Sequence, residues 1–398
     1  MSIRRQAPAF AEHKKMEPHD MRSIFSIALL FLTQTAAGYL VPSPAGKYNV
    51  TLSTGPLIDY TRDDPFAPTP TPRALMLSVF QPSTCESTKP VQYMPKKTAN
   101  FQGPFLQAIY NLTANLTPLF LKARLPVCSE GCSALDDAPV LLFSPGYSIP
   151  RVYYNHLASA IASEGFTVIS IDHPYDADAL TYPDGHAVYN NDIAQTLPDF
   201  QKHLPIRAVD ARFVIDQLSN ATAMAELLPH RGPRPLPTDR IGMFGHSLGG
   251  VAAVLAAGQD SRIRGAINWD GTFIQLPKQS GVSQPVLLMS HRQYDGVDPS
   301  WLAAWPLLKG PKLWVDIANA THATFSDVPT MLQAAGQDVA ALADVVGTIE
   351  PDQMVRILVK YTTTWMHGVF AGSVDRPLLR KDKPGMFPEV STLKKGNF

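Results

Sequence analysis

From Pro139 onward the chain alternates short apolar runs with longer amphipathic stretches. Val140–Phe143, Phe166–Ile171, Arg240–Phe244, Ile263–Trp269, Pro285–Ser290 and Lys312–Ile317 read as strands. Between and after them, Tyr153–Ser163, Ile206–Leu218, Gly249–Ala257 and Asp352–Val369 carry helical patterns. A strand that is apolar on both sides needs cover on both sides. The alternation therefore predicts an α/β architecture, a mostly parallel central sheet with helices on both faces. Upstream, Ala74–Phe80 alternates as a strand, and Lys89–Arg124 mixes loop and helix as cover over the sheet. Proline-rich Tyr60–Arg73 reads as an extended surface segment. Pro174–Leu204 and Leu227–Asp239, rich in Pro, His and charge, are expected to rim an entrance. With no internal repeat, residues 39–398 read as one catalytic domain.

Charge changes this picture little. The 398 residues carry 34 basic and 34 acidic side chains, so no bulk charge recruits a nucleic acid, and 45% are hydrophobic, enough for a large core. The N-terminus adds more. Ile24–Leu32 is an apolar run after Arg22, followed by small Ala36, Ala37 and Gly38. Residues 1–38 thus read as a signal peptide with an N-terminal extension, because the run falls short of the ~20 residues that span a bilayer. Secretion follows. An uncleaved signal anchor is the alternative, since a mildly apolar stretch continues to Val41, and Met21 is a second candidate start. Sequons at Asn49, Asn111, Asn115, Asn220 and Asn319 are glycosylation candidates that agree with a secretory route. Cys85, Cys128 and Cys132 suggest one disulfide and one free thiol, with the pairing open. Neither a zinc-binding pattern nor a P-loop is present, so no metal or cofactor is expected, and composition leaves the oligomeric state open.

The chemistry centres on Gly245-His246-Ser247-Leu248-Gly249. A G-x-S-x-G alone is weak, but this one follows a strand and opens a small-residue helix, the setting of a nucleophile elbow. Gly245 and Gly249 would remove side chains that collide in so sharp a turn. A serine needs a base, and the base needs a carboxylate to orient it. In α/β hydrolases the chain order is serine, acid, histidine, each after a strand. His322, in the segment that leaves Lys312–Ile317, fits the base. Two acids compete: Asp270 ends one strand and Asp295 follows the next, and spacing alone does not choose. His291 also follows a strand, but precedes any later acid that would complete the order. For the oxyanion, the backbone N–H groups of Leu248 and of Tyr147, in the loop Phe143–Ser148, are the candidates.

With these residues in place, the chain from about Ala74 to Gly372 resembles the platelet-activating factor acetylhydrolase family of isoform II type. The likeness lies in FSPGYSIPRVYYNHLASAIASEGFTVISIDH, in GHSLGG, in AINWDG and in THATFSD, which holds His322, Phe325 and Asp327. The resemblance implies the α/β-hydrolase fold and a Ser247–Asp270–His322 triad, since the family's acid follows its serine at the interval separating Ser247 from Asp270. It further implies calcium-independent removal of a short or oxidised sn-2 acyl group from a phospholipid, at a lipid interface. Two positions depart from animal members, Pro145 where histidine is usual and Leu248 where phenylalanine is. The Ser-Pro-Gly turn also resembles secreted bacterial lipases and polyester hydrolases, so another ester, such as a secondary-metabolite ester or a thioester, is the alternative substrate. A non-catalytic binding module is the alternative from a different class.

Overall fold

The computed structural model describes residues 38–109, 112, 114–190, 196–229, 231, 234–291, 298–379 and 386–398. The expected leader up to residue 37, Asn111 and Asp295 lie outside them. Nine strands form the central sheet: β1 (Asn49–Asp63), β2 (Pro72–Ser83), β3 (Val140–Ser144), β4 (Thr167–Asp172), β5 (Ile241–His246), β6 (Ile263–Trp269), β7 (Val286–His291), β8 (Lys312–Ile317) and β9 (Val390–Gly396). Their order is β9-β8-β7-β6-β5-β3-β4-β2-β1. Pairs from β4 through β8 are parallel, and the outer pairs β4/β2, β2/β1 and β8/β9 are antiparallel.

The apolar runs are apolar throughout because both faces are covered. In β3, Leu141 and Phe143 join one core while Val140 and Leu142 join the other, the period of two that a pleated strand imposes. Helices α1 (Lys96–Ile109), α2 (Asn155–Ala162), α3 (Leu197–Gln217), α4 (Leu248–Ala257) and α5 (Pro351–Phe370) supply most of the cover. Leu157 and Ile161 of α2 and Ile357 and Trp365 of α5 pack on the Phe143 side. On the opposite side sit Val214 of α3 and Val251 and Leu255 of α4. Every residue of α4 is buried, and its alanines allow that close approach. This is the covered, mostly parallel α/β sheet that the pattern predicts, in the α/β-hydrolase arrangement that the family resemblance implies.

Several details differ from the sequence reading. α3 starts at Leu197, upstream of the expected Ile206, and continues through Pro205. Thr196 and Asp199 form a capping box that sets its start, with both Thr196 N and Oγ1 donating to Asp199. The segment expected to be extended surface ends inside the protein. Arg73 is 1% exposed, and its guanidinium donates to both carboxylate oxygens of Asp210 and to Asp64. Its burial depends on that pairing, which local composition does not reveal. A small sheet of Tyr39–Leu40, Thr88–Gln92 and Ala123–Cys128 lies to one side, and the disulfide joins Cys85 to Cys128, leaving Cys132 reduced. Among the described residues, no helix is long and apolar enough to cross a membrane.

Candidate active site

β5 delivers Ser247 at the carboxyl edge of the sheet. There the backbone turns through φ 55° and ψ −125°, a conformation rarely adopted by a residue with a side chain. Packing enforces the strain. Ser247 N–H donates to Trp269 O at 2.8 Å, and Gly250 N–H closes the first turn of α4 onto Ser247 O at 3.0 Å. The flanking glycines are required by space: a Cβ on Gly249 would lie 1.9 Å from Ser144 O, and one on Gly245 would lie 2.4 Å from the Gly249 carbonyl. The elbow is thus pressed against the end of β3, where the Pro145–Ser148 loop begins.

Asp270 leaves β6 with φ 55°, and its N–H donates to Met289 O at 2.8 Å. Asn268 fixes this turn by donating to Gly271 O and accepting from Gly271 N–H, both at 2.8 Å. The carboxylate then meets two histidines. His322 Nδ1–H donates to Asp270 Oδ2 at 2.6 Å, His291 Nδ1–H donates to the same oxygen at 2.7 Å, and His291 N–H reaches Oδ1 at 3.0 Å. Burial alone would raise the Asp270 carboxyl, but the His291 and His322 hydrogen bonds outweigh it and hold the group well below the ordinary carboxylate range. With Nδ1 committed to Asp270, the lone pair of His322 resides on Nε2. Ser247, Asp270 and His322 line one cavity.

The surroundings hold His322 in place. It opens a short helical turn, His322–Phe325, in which Thr321 N–H donates to Thr324 Oγ1 and Thr321 Oγ1 donates to Val345 O. Just beyond, buried Asp327 accepts from His156 N–H, Leu157 N–H and the Tyr93 hydroxyl, tying the turn to the start of α2. His246 lies beside His322 with ring centroids 4.5 Å apart, and its Nδ1 is hydrogen-bonded to the Tyr154 hydroxyl. Burial drives its imidazole far below the usual histidine value, so it remains neutral. His246, Asp270 and His322 bring atoms able to ligate a metal within 4.8 Å of one another. Asp270 Oδ2 and His246 Nδ1 are already engaged by protein groups, while Nε2 of His246 has no hydrogen-bond partner among the described residues.

The cavity has a volume of about 710 Å³, within the usual range for small ligands. Ser247, Asp270 and His322 line it together with Tyr147 and Leu248. Phe105, Leu106, Leu112 and Leu116 form an apolar wall, which makes the Lys89–Arg124 cover part of the site. Of the two segments expected at the entrance, the first contributes Asp178 and Phe200. The second is a correction: Leu227–Asp239 leads into the amino end of β5, opposite the edge that carries Ser247. Arg231 there donates to the carbonyls of Leu135 and Asp136 instead. The sequon residues Asn49, Asn115, Asn220 and Asn319 are exposed, and Asn319, with φ 63°, precedes the His322 turn. The sequence reading missed the contact between His291 and Asp270, and also Asn268. The only prior signal was that both sit at strand ends on the catalytic edge.

Comparison with known proteins agrees with this geometry. The sequence model of platelet-activating factor acetylhydrolase, isoform II, matches residues 37–211 and 234–370. A probable 1-alkyl-2-acetylglycerophosphocholine esterase of Arthroderma benhamiae is 28% identical, the alignment covering 92% of this chain and 96% of that protein. The platelet-activating factor acetylhydrolase of Bos taurus is 21% identical over 64% of this chain and 60% of its own. A ferulic acid esterase from Streptomyces cinnamoneus superposes with a TM-score of 0.72 at 29% identity, covering 90% of this chain and 100% of the other. The chain belongs to the platelet-activating factor acetylhydrolase, isoform II, family and is an esterase of the α/β-hydrolase fold.

Proposed function

We propose that the protein is a calcium-independent serine esterase that removes a short or oxidised sn-2 acyl group from phospholipids resembling platelet-activating factor. His322 Nε2 takes the proton of Ser247 as Oγ attacks the ester carbonyl, and Asp270 holds the ring and stabilises the imidazolium. The N–H groups of Leu248, at the start of α4, and Tyr147 receive the oxyanion. Collapse of the tetrahedral adduct expels the lysophospholipid alcohol, which takes the proton from His322. Water, activated by the same imidazole, then releases the acid and restores Ser247.

The observation that carries this reading is the lining of the cavity. One cavity is lined both by Ser247, Asp270 and His322 and by the leucines and phenylalanine of the cover segment, as a lipid ester requires. The decisive experiment is a panel of a platelet-activating factor analogue, long-chain phosphatidylcholine and 4-nitrophenyl esters, with Ser247→Ala as the blank and chelator in parallel. Preference for the short sn-2 lipid, unchanged by chelator, is expected. The ferulic acid esterase likeness favours a second reading, an aryl or other non-lipid ester, and higher kcat/KM on feruloyl esters would establish it. We also propose a secreted protein. The Cys85–Cys128 disulfide and the exposed sequons support this route. N-terminal sequencing of protein from the culture medium, expected to begin near residue 39, tests it; an intact leader on membrane-bound protein would mean a signal anchor.

A further inference from the structure

Arg207 lies on α3, outside every motif that marked the site, and is 1% exposed. All five of its guanidinium hydrogens have acceptors. Nε donates to Asp176 Oδ2 at 2.8 Å and one terminal nitrogen to Asp176 Oδ1; the other terminal nitrogen donates to Ser144 Oγ at 3.1 Å and to Pro145 O. The fifth bond, to Gly146 O at 3.2 Å, comes from the nitrogen that also holds Asp176. A buried cation thus grips two consecutive carbonyls of the loop that follows β3. The far side of that loop is tied down too: Ser148 N–H donates to Asp176 O and Asp178 N–H donates to Ser148 O.

The peptide joining Gly146 to Tyr147 is trans, and in a trans peptide the C=O and the following N–H point in opposite directions. Arg207 draws Gly146 O toward α3. The Tyr147 N–H is thereby turned away from α3, on a loop whose residues Gly146, Tyr147 and Ser148 line the cavity with Leu248. We propose that Arg207, held by Asp176, is the positioning residue of the oxyanion hole, fixing the 146–147 peptide plane so that Tyr147 N–H is aimed at the developing oxyanion. The inference rests on the serine esterase reading above. Burial would raise the Asp176 carboxyl, yet the Arg207 charge prevails and keeps it ionised, so the clamp persists across the working pH range.

The test is Arg207→Lys, which keeps the charge but cannot fork across two carbonyls and a carboxylate. Arg207→Met/Asp176→Leu, which removes both buried charges, replaces it should the lone ammonium unfold the chain. Steady-state kinetics on a soluble ester, expressed per folded molecule, should show kcat lower by about 100-fold with KM within threefold. Affinity for a trifluoromethyl ketone, whose adduct with serine carries an oxyanion, should fall in parallel with kcat/KM. A purely structural role would leave that affinity tracking the folded fraction alone. A folded variant that retains kcat within threefold of the parent overturns the inference. If Ser247→Ala retains activity, it is the esterase reading that fails instead.

Discussion

The imidazoles of His291 and His322 converge on a single oxygen, Asp270 Oδ2, at 2.7 and 2.6 Å. A triad needs one of these bonds, so the second has consequences for pH. Burial opposes charge on His291, but the Asp270 hydrogen bond prevails and raises its pKa above the ordinary histidine value. When His291 takes up a proton at Nε2 it becomes a cation that shares the same carboxylate with His322. In His291→Gln, whose amide can still donate to Asp270, that competing cation is gone from beside the carboxylate. The acid limb of kcat/KM should move to higher pH, as a pH–rate profile would show. An unmoved limb would mean that His291 only positions Asp270.

Ser247 combines the nucleophile's role proposed above with backbone strain, so removing its side chain should separate activity from stability. At φ 55° and ψ −125° glycine is comfortable where serine is not. Strain of this kind costs about 1–3 kcal/mol, partly offset by the greater unfolded-state freedom of glycine. Ser247→Gly should abolish ester hydrolysis and labelling by a fluorophosphonate while raising stability by about 1 kcal/mol in urea unfolding. Loss of stability would show that the elbow is not strained.

Gly249→Ala should do the reverse, harming both properties. Its methyl would sit 1.9 Å from Ser144 O, backbone that no side-chain rotation relieves. The elbow and the oxyanion loop would have to separate, at a cost of about 3 kcal/mol and with kcat reduced at least about 100-fold. Thermal unfolding and steady-state kinetics on the same preparation measure both effects.

His156 predicts acid sensitivity of the fold. Burial pushes its imidazole down to about 4, and its Nδ1 has no hydrogen-bond partner among the described residues. Between about pH 6.5 and 4 the unfolded chain binds a proton that the folded chain does not, so stability falls as pH drops through that window. The loss approaches about 3 kcal/mol at the lower end. His156→Leu should flatten this dependence in urea midpoints taken at pH 7.5 and 4.5. Equal slopes for variant and parent would assign the acid lability to other groups.

The layered fold was legible because its strands are apolar on both faces, and only a covered sheet accommodates such runs. At Ser247 the elbow was legible too, since the geometry is local: two glycines, a strand before and a small-residue helix after. Asp270 and Asp295 were not separable by spacing, and the family likeness favoured Asp270, which the structure places against His322. By contrast, Arg73 lay in a stretch with the composition of surface, and its burial depends on Asp210, 137 residues away. The misplacement of Leu227–Asp239 has a similar origin, because a segment entering a strand at its amino end lies on the edge opposite the chemistry.

What the sequence alone determined is everything encoded within one turn or one strand: the elbow at Ser247 and the alternation of strand and helix. Tertiary structure decided which side chains from distant elements share an atom. Sheet order places β7 between β6 and β8, so His291 at the end of β7 stands beside Asp270, and His322, from the turn after β8, reaches past β7 to the same oxygen. The packing of α3 on the sheet brings Arg207 to the carbonyls of Pro145 and Gly146. Contacts of this kind depend on distances of a few ångströms between segments far apart in the chain, and those distances are set only when the whole sheet has closed.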